Sequence, residues 1–397
     1  MVEVKIVKTK RQAKEFFRFV DYLYGDCKEY CPSYKKSEYR LFSHKKNPSL
    51  NSNEIIGFLA YQEGKVVGRI LGIINRVEKE KSNIARFSHF DFINDTEVSF
   101  CLLSNLCDWA KAQGAVALLG DLSFNDLHPV GVVTKNCSKS ISTFQQKYNF
   151  DYVYQHLKTF GFVVDKKLNE YYLMHKNDLE IDDVQNDIYK KLSVNKLKFV
   201  DGSTKYKIAL YGRKIFDLLY ENTISGYPLV ISDKEYLSYL KSIKKLFGTT
   251  DLVILINEND EVVGAMLITK NTSLGLQTTC GNVLTSQNMY NVGGEFKDEH
   301  DITMLAINKS YQKEISELFS NVLAVKTLTE NYYTVYSNLW LNTDGKKVSF
   351  EKNFDLTLIR SRAILRKNLG SSNLQKVERE KSTFAVPNKT TITKIIK

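Results

Sequence analysis

The chain has 397 residues, 43% of them hydrophobic and 25% charged, which is the balance of a globular protein and excludes a largely disordered one. That length exceeds what one small core fills and predicts two domains. Against 45 Asp and Glu stand 56 Lys and Arg, a formal net charge of +11. This suits nucleic acid, an anionic membrane or a phosphorylated small molecule. A lysine-rich solvated surface explains the excess equally well. No dense Arg/Lys helix marks a reader of bases, so nucleic acid is the weakest of these partners.

The first elements follow from periodicity. Residues 2–9 alternate as a strand, and residues 10–25 carry Phe16, Phe17, Val20 and Leu23 at helical spacing. Residues 54–75, "EIIGFLAYQEGKVVGRILGIIN", are two apolar runs around a polar turn, a β-hairpin with both strands buried. Residues 86–93 form a strand. The helix that follows has Asp95 as N-cap, one apolar face of Val98, Cys101, Leu102, Leu106 and Trp109, and Gly114 as its stop. Residues 115–122 are a strand, the later part of 143–161 is a helix, and 162–175 close as a strand pair.

The order then recurs. Residues 196–200 are a strand and 212–225 a helix. A second helix over 232–248 opens with Ser232 and Glu235, the spacing of a capping box. Residues 251–271, "DLVILINENDEVVGAMLITKN", repeat the hairpin, with Gly264 in the place of Gly68. The strand 301–307, a helix from Tyr311 and late strands in 332–340 and 354–365 complete the copy. The expected division is a first domain over 1–178, a second over 179–369 and a basic, flexible tail over 370–397.

The cysteines Cys27, Cys31, Cys101, Cys107, Cys137 and Cys280 show neither a disulfide framework nor a zinc spacing. They are expected to be reduced packing residues, and no metal is expected. The start has no apolar h-region, and no apolar run reaches the ~20 residues of a membrane helix. The expectation is a cytoplasmic protein, with peripheral contact at the inner membrane face permitted by its charge.

Several stretches narrow this reading: "HKKNP" (44–48), "EIIGFLAYQEGKVVGRILGIINR" (54–76), "FDFINDTEV" (90–98), "FNDLHPVG" (124–131), "YNFDYV" (148–153), "LVILINENDEVVGAMLI" (252–268) and "SYQKEISELFSNVL" (310–323). In order and spacing, over about residues 10–369, they resemble a family of bacterial two-domain GNAT-like acyltransferases. Some members of that family resemble bacterial ceramide synthase. The resemblance implies an α/β tandem GNAT fold, with mixed central sheets flanked by helices. It also implies an acyl-CoA co-substrate and transfer of a long acyl chain to a lipid-like, sphingoid-type amine. The sequence departs from the family at the second-half loop, where Lys313, Glu314 and Ile315 replace glycine-containing residues. His128 and Val130 stand where acidic residues are usual, and Leu341 stands near another such place. A degenerate phosphate loop favours the alternative, a non-catalytic module that binds acyl-CoA or lipid.

Transfer from a thioester to an amine needs a pyrophosphate cradle, an oxyanion donor and a route for the amine proton. The start of the first long helix, Ile93, Asn94, Asp95 and Thr96, offers backbone N–H groups to pyrophosphate, although Asp95 competes with it. Tyr311, Gln312 and Lys313 are the matching candidates in the second half. Asp126 and His128, two apart, would face the same way in an extended segment and could take a proton from an amine. Tyr148 and Asn149 open another candidate segment, with Tyr148 as proton donor to a leaving thiolate. Capped helices, a polar turn and aromatic packing account for the same residues. His89 and Asp91 alternate on one face of the 86–93 strand. Arg360, Arg362, Arg366 and Lys367 suggest a contact for phosphate or anionic lipid headgroups.

Overall fold

The structure, a computed structural model, describes residues 1–75, 82–125, 128–143, 146–201, 205–221, 232–238, 241, 250–282, 299–330, 334–337 and 350–370. In the first half the order is β1 (Glu3–Ile6), α1 (Lys10–Leu23), α2 (Lys35–Glu38), β2 (Asn53–Gln62), β3 (Lys65–Asn75), β4 (Ile84–Phe92), α3 (Thr96–Ala112), β5 (Ala117–Gly120), β6 (Val132–Asn136), α4 (Asp151–Thr159) and β7 (Val163–His175). In the second half it is α5 (Ile181–Val194), β8 (Lys198–Asp201), α6 (Lys205–Glu221), β9 (Thr250–Ile256), β10 (Val262–Lys270), α7 (Ser273–Thr278), β11 (Glu299–Ile307), α8 (Gln312–Thr329), β12 (Thr334–Ser337) and β13 (Phe354–Asn368).

The duplicated hairpins share a physical cause. In each, the Val-Val-Gly triplet carries a bulge, one between Ala60 and Tyr61 of β2 opposite Val66 and Gly68, the other between Val262 and Gly264 of β10. The glycines sit where a helix crosses the sheet closely. A Cβ on Gly68 would lie 2.8 Å from Leu102 and 2.9 Å from Val98, and one on Gly264 would lie 2.8 Å from Ile315 and 3.0 Å from Phe319. The turns differ. Glu63 and Gly64 both have positive φ (50° and 75°), as a two-residue primed turn requires. The second turn is longer and is tied by the Asn257 side chain, which accepts from the Asn259 and Glu261 N–H groups.

The strands form one sheet in the order β1-β2-β3-β4-β5-β13-β7-β12-β11-β10-β9-β8, with β6 paired to β13 off this path. The halves trade their last strands. β13 pairs with β5 of the first half, β7 pairs with β12 of the second, and the two exchanged strands pair with each other along most of their length. Apolar cores cover both faces. In the first half α3 and α4 pack on one face and α1 on the other. In the second half α5 and α8 pack on one face and α6 on the other. Among the described residues, no helix is long and apolar enough to cross a membrane.

Three sequence expectations change. Residues 163–175 are one strand, not a pair, because the run serves both halves at once: Val163–His175 lie against β13, and Tyr171–Leu173 also lie against β12. The helix expected from Gly212 begins at Lys205. Gly212 is not a breaker but a close approach, where a Cβ would collide with the Tyr236 ring. β6 was not anticipated. The remainder of the 232–248 helix, Leu341 and the tail beyond Gly370 lie outside the described residues. Within them, the Ser232–Glu235 capping box forms, with Glu235 N–H donating to Ser232 Oγ at 3.3 Å and Ser232 N–H donating to Glu235 Oε2 at 3.0 Å.

Candidate active site

Each half contains a pair of parallel strands, and in the first half the two part within the described residues. β4 and β5 pair from Ile84–Ala117 to Phe87–Gly120 and no further; β11 and β12 pair from Glu299–Thr334 to Ile302–Ser337. Just past the last pair, the fourth strand of each half bulges against its hairpin neighbour. A bulge re-aims side chains and interrupts the strict alternation of faces. In β4 it allows Ser88, His89 and Asp91 to share the face that α1 covers, while Phe87, Phe90 and Phe92 stay in the core on the α3 side. His89 takes a positive φ of 53°, a strained conformation for a residue other than glycine.

His89 is held at both ring nitrogens. Its Nε2 lies 3.3 Å from Glu38 Oε2, and its Nδ1 lies 2.8 Å from Ser88 Oγ. Burial pushes the Glu38 carboxyl up, but the hydrogen bond and charge of His89, helped by Arg69 and Lys147, bring it to about 2. Glu38 is therefore an anion near neutral pH, and it assigns the imidazole tautomer. Nε2–H faces the carboxylate, and in the neutral ring the Nδ1 lone pair faces the Ser88 hydroxyl.

A second buried cluster adjoins it. Asp91, fully buried, receives both Nε and Nη2 of Arg69 at 2.8 Å on Oδ2, and on Oδ1 the Tyr24 hydroxyl at 3.0 Å and Lys147 Nζ at 2.9 Å. Burial alone would raise the carboxyl, but Lys147 and Arg69 outweigh it and hold it well below the usual range. Arg69 also donates to the Phe16 carbonyl at 2.8 Å and lies 4.9 Å above the Phe16 ring. Lys147 reaches Asp121 at 3.8 Å. Burial pushes the Asp121 carboxyl up despite that lysine.

The candidates named from sequence take varied places. Asp126 lies outside the described residues. His128 is not in an extended segment: its N–H donates to the Asn125 carbonyl at 3.1 Å, closing a turn, and its Nδ1 lies 3.0 Å from Asn125 Oδ1. Burial lowers its pKa to about 4, with Glu235, His89 and Glu38 the charges nearest in influence. Tyr148 packs edge-on against Tyr24, and burial raises its phenol, so it keeps its proton. The Asn149 amide bridges to β6, accepting from Val133 N–H at 2.7 Å and donating to the Val133 carbonyl at 3.3 Å. That pairing leaves it the work of a strand link.

At the start of α3, the Asp95 carboxylate accepts from Val98 N–H at 3.2 Å and from Gln62 at 3.3 Å. Asn94 Oδ1 meets His156 Nε2 at 3.0 Å, and Tyr152 donates to the Phe92 carbonyl at 2.5 Å beside Ile93. The Thr96 carbonyl accepts from Ser99. In the second half, a 3₁₀ turn over Lys309–Tyr311 precedes α8, and Asn308 Oδ1 accepts from Ser310 N–H at 2.9 Å. Tyr311 packs against the second-half core, Gln312 is half-buried, and Lys313 is exposed. At the bulge of β11 stand Thr303 and Met304, neither of which handles protons near neutrality.

The basic cluster near the chain end is corrected. Arg360 and Arg362 are each 1% exposed and both pair with Glu170 on the adjacent exchanged strand. They fasten the centre of the sheet and do not face a headgroup. Lys367 donates to the Phe160 carbonyl at 2.9 Å, and Arg366 to Asn368 at 3.1 Å. All six cysteines are free; Cys31 and Cys107 are buried, whereas Cys137 and Cys280 are exposed and do not pack. Sequence reasoning had noted His89 and Asp91 but missed Glu38, Ser88, Arg69, Tyr24, Lys147 and Asp121. Those residues look like surface charges or ordinary strand positions until the fold brings them together.

A continuous mixed sheet in which a hairpin and a bulged fourth strand feeding a helix occur twice defines the tandem GNAT fold. Solved structures carry the same arrangement. A tandem GNAT protein from the clavulanic acid biosynthesis pathway, solved without AcCoA, superposes with a TM-score of 0.54 at 8% identity, over 94% of this chain and 100% of its own. The glucosamine N-acetyltransferase region of a fungal multi-domain β-N-acetylglucosaminidase matches with a TM-score of 0.54 at 12% identity, over 92% of this chain and 38% of that one. A probable N-acyltransferase from Enterococcus faecalis V583 matches with a TM-score of 0.50 at 9% identity, over 93% of this chain and 73% of that one. At these identities the likeness establishes the fold. No protein-family model and no curated protein matches the sequence.

Proposed function

We propose that the chain is an acyl-CoA-dependent N-acyltransferase whose reaction centre is the first-half opening between β4 and β5. The observation that carries this reading is the β4 bulge, which sets a carboxylate-backed histidine, His89 on Glu38, two residues beyond the last β4–β5 pair. Attack of an amine on a thioester needs a group to take the amine proton, and the Nδ1 side of His89 is such a group. Backbone N–H groups of the bulged strand supply the oxyanion donor in this reading, and the N-terminus of α3 at Ile93–Thr96 receives the pyrophosphate. Tyr148, with its proton retained, donates a hydrogen bond to the leaving thiolate without giving up that proton, and His128 stays neutral beside the acceptor amine. The second-half start at Tyr311–Lys313 holds no matching base. The finer substrate, a long acyl chain passed to a sphingoid-type amine, rests on the resemblance of the stretches quoted above. The lipid setting and any contact with an anionic membrane rest on the same ground.

The test is coenzyme A release by the purified chain given acetyl-CoA or palmitoyl-CoA, with and without sphinganine, with products read by mass spectrometry. Sphinganine-dependent release with an N-palmitoyl product is expected. Binding of palmitoyl-CoA with no release for any amine would leave a non-catalytic acyl-CoA-binding module in its place.

A further inference from the structure

We infer that Ser88 is a nucleophile that carries the acyl group covalently, so that transfer at this opening runs through an acyl-serine. The inference rests on the acyltransferase reading for its thioester but adds a step to it. Ser88 Oγ lies 2.8 Å from His89 Nδ1, and His89 Nε2 lies 3.3 Å from Glu38 Oε2, so hydroxyl, imidazole and carboxylate stand in series. A hydroxyl is a poor nucleophile until an adjacent base takes its proton, and the base works best when a third group orients it and stabilises the cation that forms. Each of these roles is filled.

Three further features favour this arrangement over packing. Neighbouring residues on a regular strand point to opposite faces, so Ser88 and His89 can meet only because the bulge interrupts β4. His89 holds its place at a φ of 53°, and backbone strain of this kind concentrates at working sites. Glu38 arrives from α2, far away in sequence, and the stretch that carries it is fastened to the second half by a 3.0 Å bond from Lys35 N–H to the Gly281 carbonyl. The second half thereby holds the acid of a first-half relay.

The steps balance. Ser88 Oγ attacks the thioester carbonyl as its proton passes to His89 Nδ1. The Oγ–C bond forms, the C–S bond breaks, and the imidazolium, paired with Glu38, returns the proton to the departing thiolate. In the second half-reaction the amine nitrogen attacks the acyl-serine carbonyl. The N–C bond forms, the C–Oγ bond breaks, and the amine proton passes through His89 to Ser88 Oγ. Water in place of the amine yields the free acid, so slow thioester hydrolysis is expected without an acceptor.

The experiment incubates the full chain with acetyl-CoA or palmitoyl-CoA and no amine, quenches in acid, and maps the peptide spanning Ser88 by mass spectrometry. An acyl increment on Ser88 is expected. Ser88→Ala should lose it, Ser88→Cys should retain it as a hydroxylamine-labile thioester, and His89→Gln should slow its formation about 10²–10⁴-fold. Circular dichroism of each variant controls for folding, with Ser88→Cys the milder change. Two results would overturn the proposal: amine-dependent release with no acyl on Ser88, or full turnover by Ser88→Ala. The acyltransferase reading fails separately. An acylated Ser88 that no amine discharges would keep the nucleophile and make the chain a thioester hydrolase.

Discussion

Asp91 shows how much one buried carboxylate organises. Arg69, Lys147 and Tyr24 all converge on it, and a buried ion pair costs far more to break on one side than it contributes intact. Asp91→Ala takes the anion from buried Arg69 and leaves Lys147 only Asp121, at 3.8 Å, and is expected to lose about 3–5 kcal/mol in urea unfolding. Lowered carboxyls also fix the acid limb of stability. Glu38 titrates at about 2 in the folded chain and near 4.3 when unfolded, so its contribution is full above about pH 5 and lost as pH falls toward 2. His128 acts earlier. With a folded pKa of about 4 against an unfolded value near 6.5, the unfolded chain binds the extra proton between those limits, so stability falls as pH drops through that window. His128→Asn is expected to flatten a plot of melting temperature against pH from 6.5 to 4 and to leave the steeper fall below pH 4 in place. Asp95 as a helix cap was legible in sequence because a cap is local. Glu38, Lys147 and Arg69 were not, because each finds its partner tens of residues away and nothing in its own neighbourhood marks it.

At the scale of elements, the repeat was visible because a hairpin and its crossing helix obey one packing rule twice. Gly68 faces Val98 and Leu102, Gly264 faces Ile315 and Phe319, and in both pairs the two helix residues stand four apart on one face. Gly68→Ala and Gly264→Ala are each expected to cost about 1–3 kcal/mol by forcing the helix off the sheet. Gly64→Ala, where a Cβ would meet nothing but φ is 75°, separates backbone strain from crowding. Equal losses at all three glycines would discard the crossing argument. Alternation placed β4 correctly as a strand, and it named His89 and Asp91. It could not show that Ser88 joins them, because a bulge has no signature in a run as short as "RFSHFDF". The same limit explains Gly212, read as a helix start when it lies inside α6 beneath Tyr236.

For the whole molecule, the exchange of β7 and β13 decides what counts as a unit. A division at 178/179, which we propose as the boundary of the two repeats, cuts no strand but leaves β5 without β13 and β12 without β7. Residues 1–178 made alone are expected to aggregate through the bared β5 edge. Co-expression with 179–397 is expected to return a soluble one-to-one complex, detected by size-exclusion chromatography. Soluble, monomeric 1–178 with native-like circular dichroism would contradict this. Nothing local in residues 354–368 says that they belong beside Ala117–Gly120, so the repeat was readable and the trade was not.

The exchange also sets a timetable. On the ribosome, β5 emerges early and must wait for a partner near the far end of the chain, roughly 10–50 s later at 5–20 residues per second. Throughout that interval the growing protein carries an unfinished sheet, its Glu170 has yet to meet Arg360 and Arg362, and the stretch bearing Glu38 lacks its anchor at Gly281. A product that stops before Gly281 lacks that anchor, and one that stops before Phe354 leaves the β5 edge bare and is expected to be sticky. Such a gene gains a proofreading step from topology: only a chain translated through Asn368 can close its sheet.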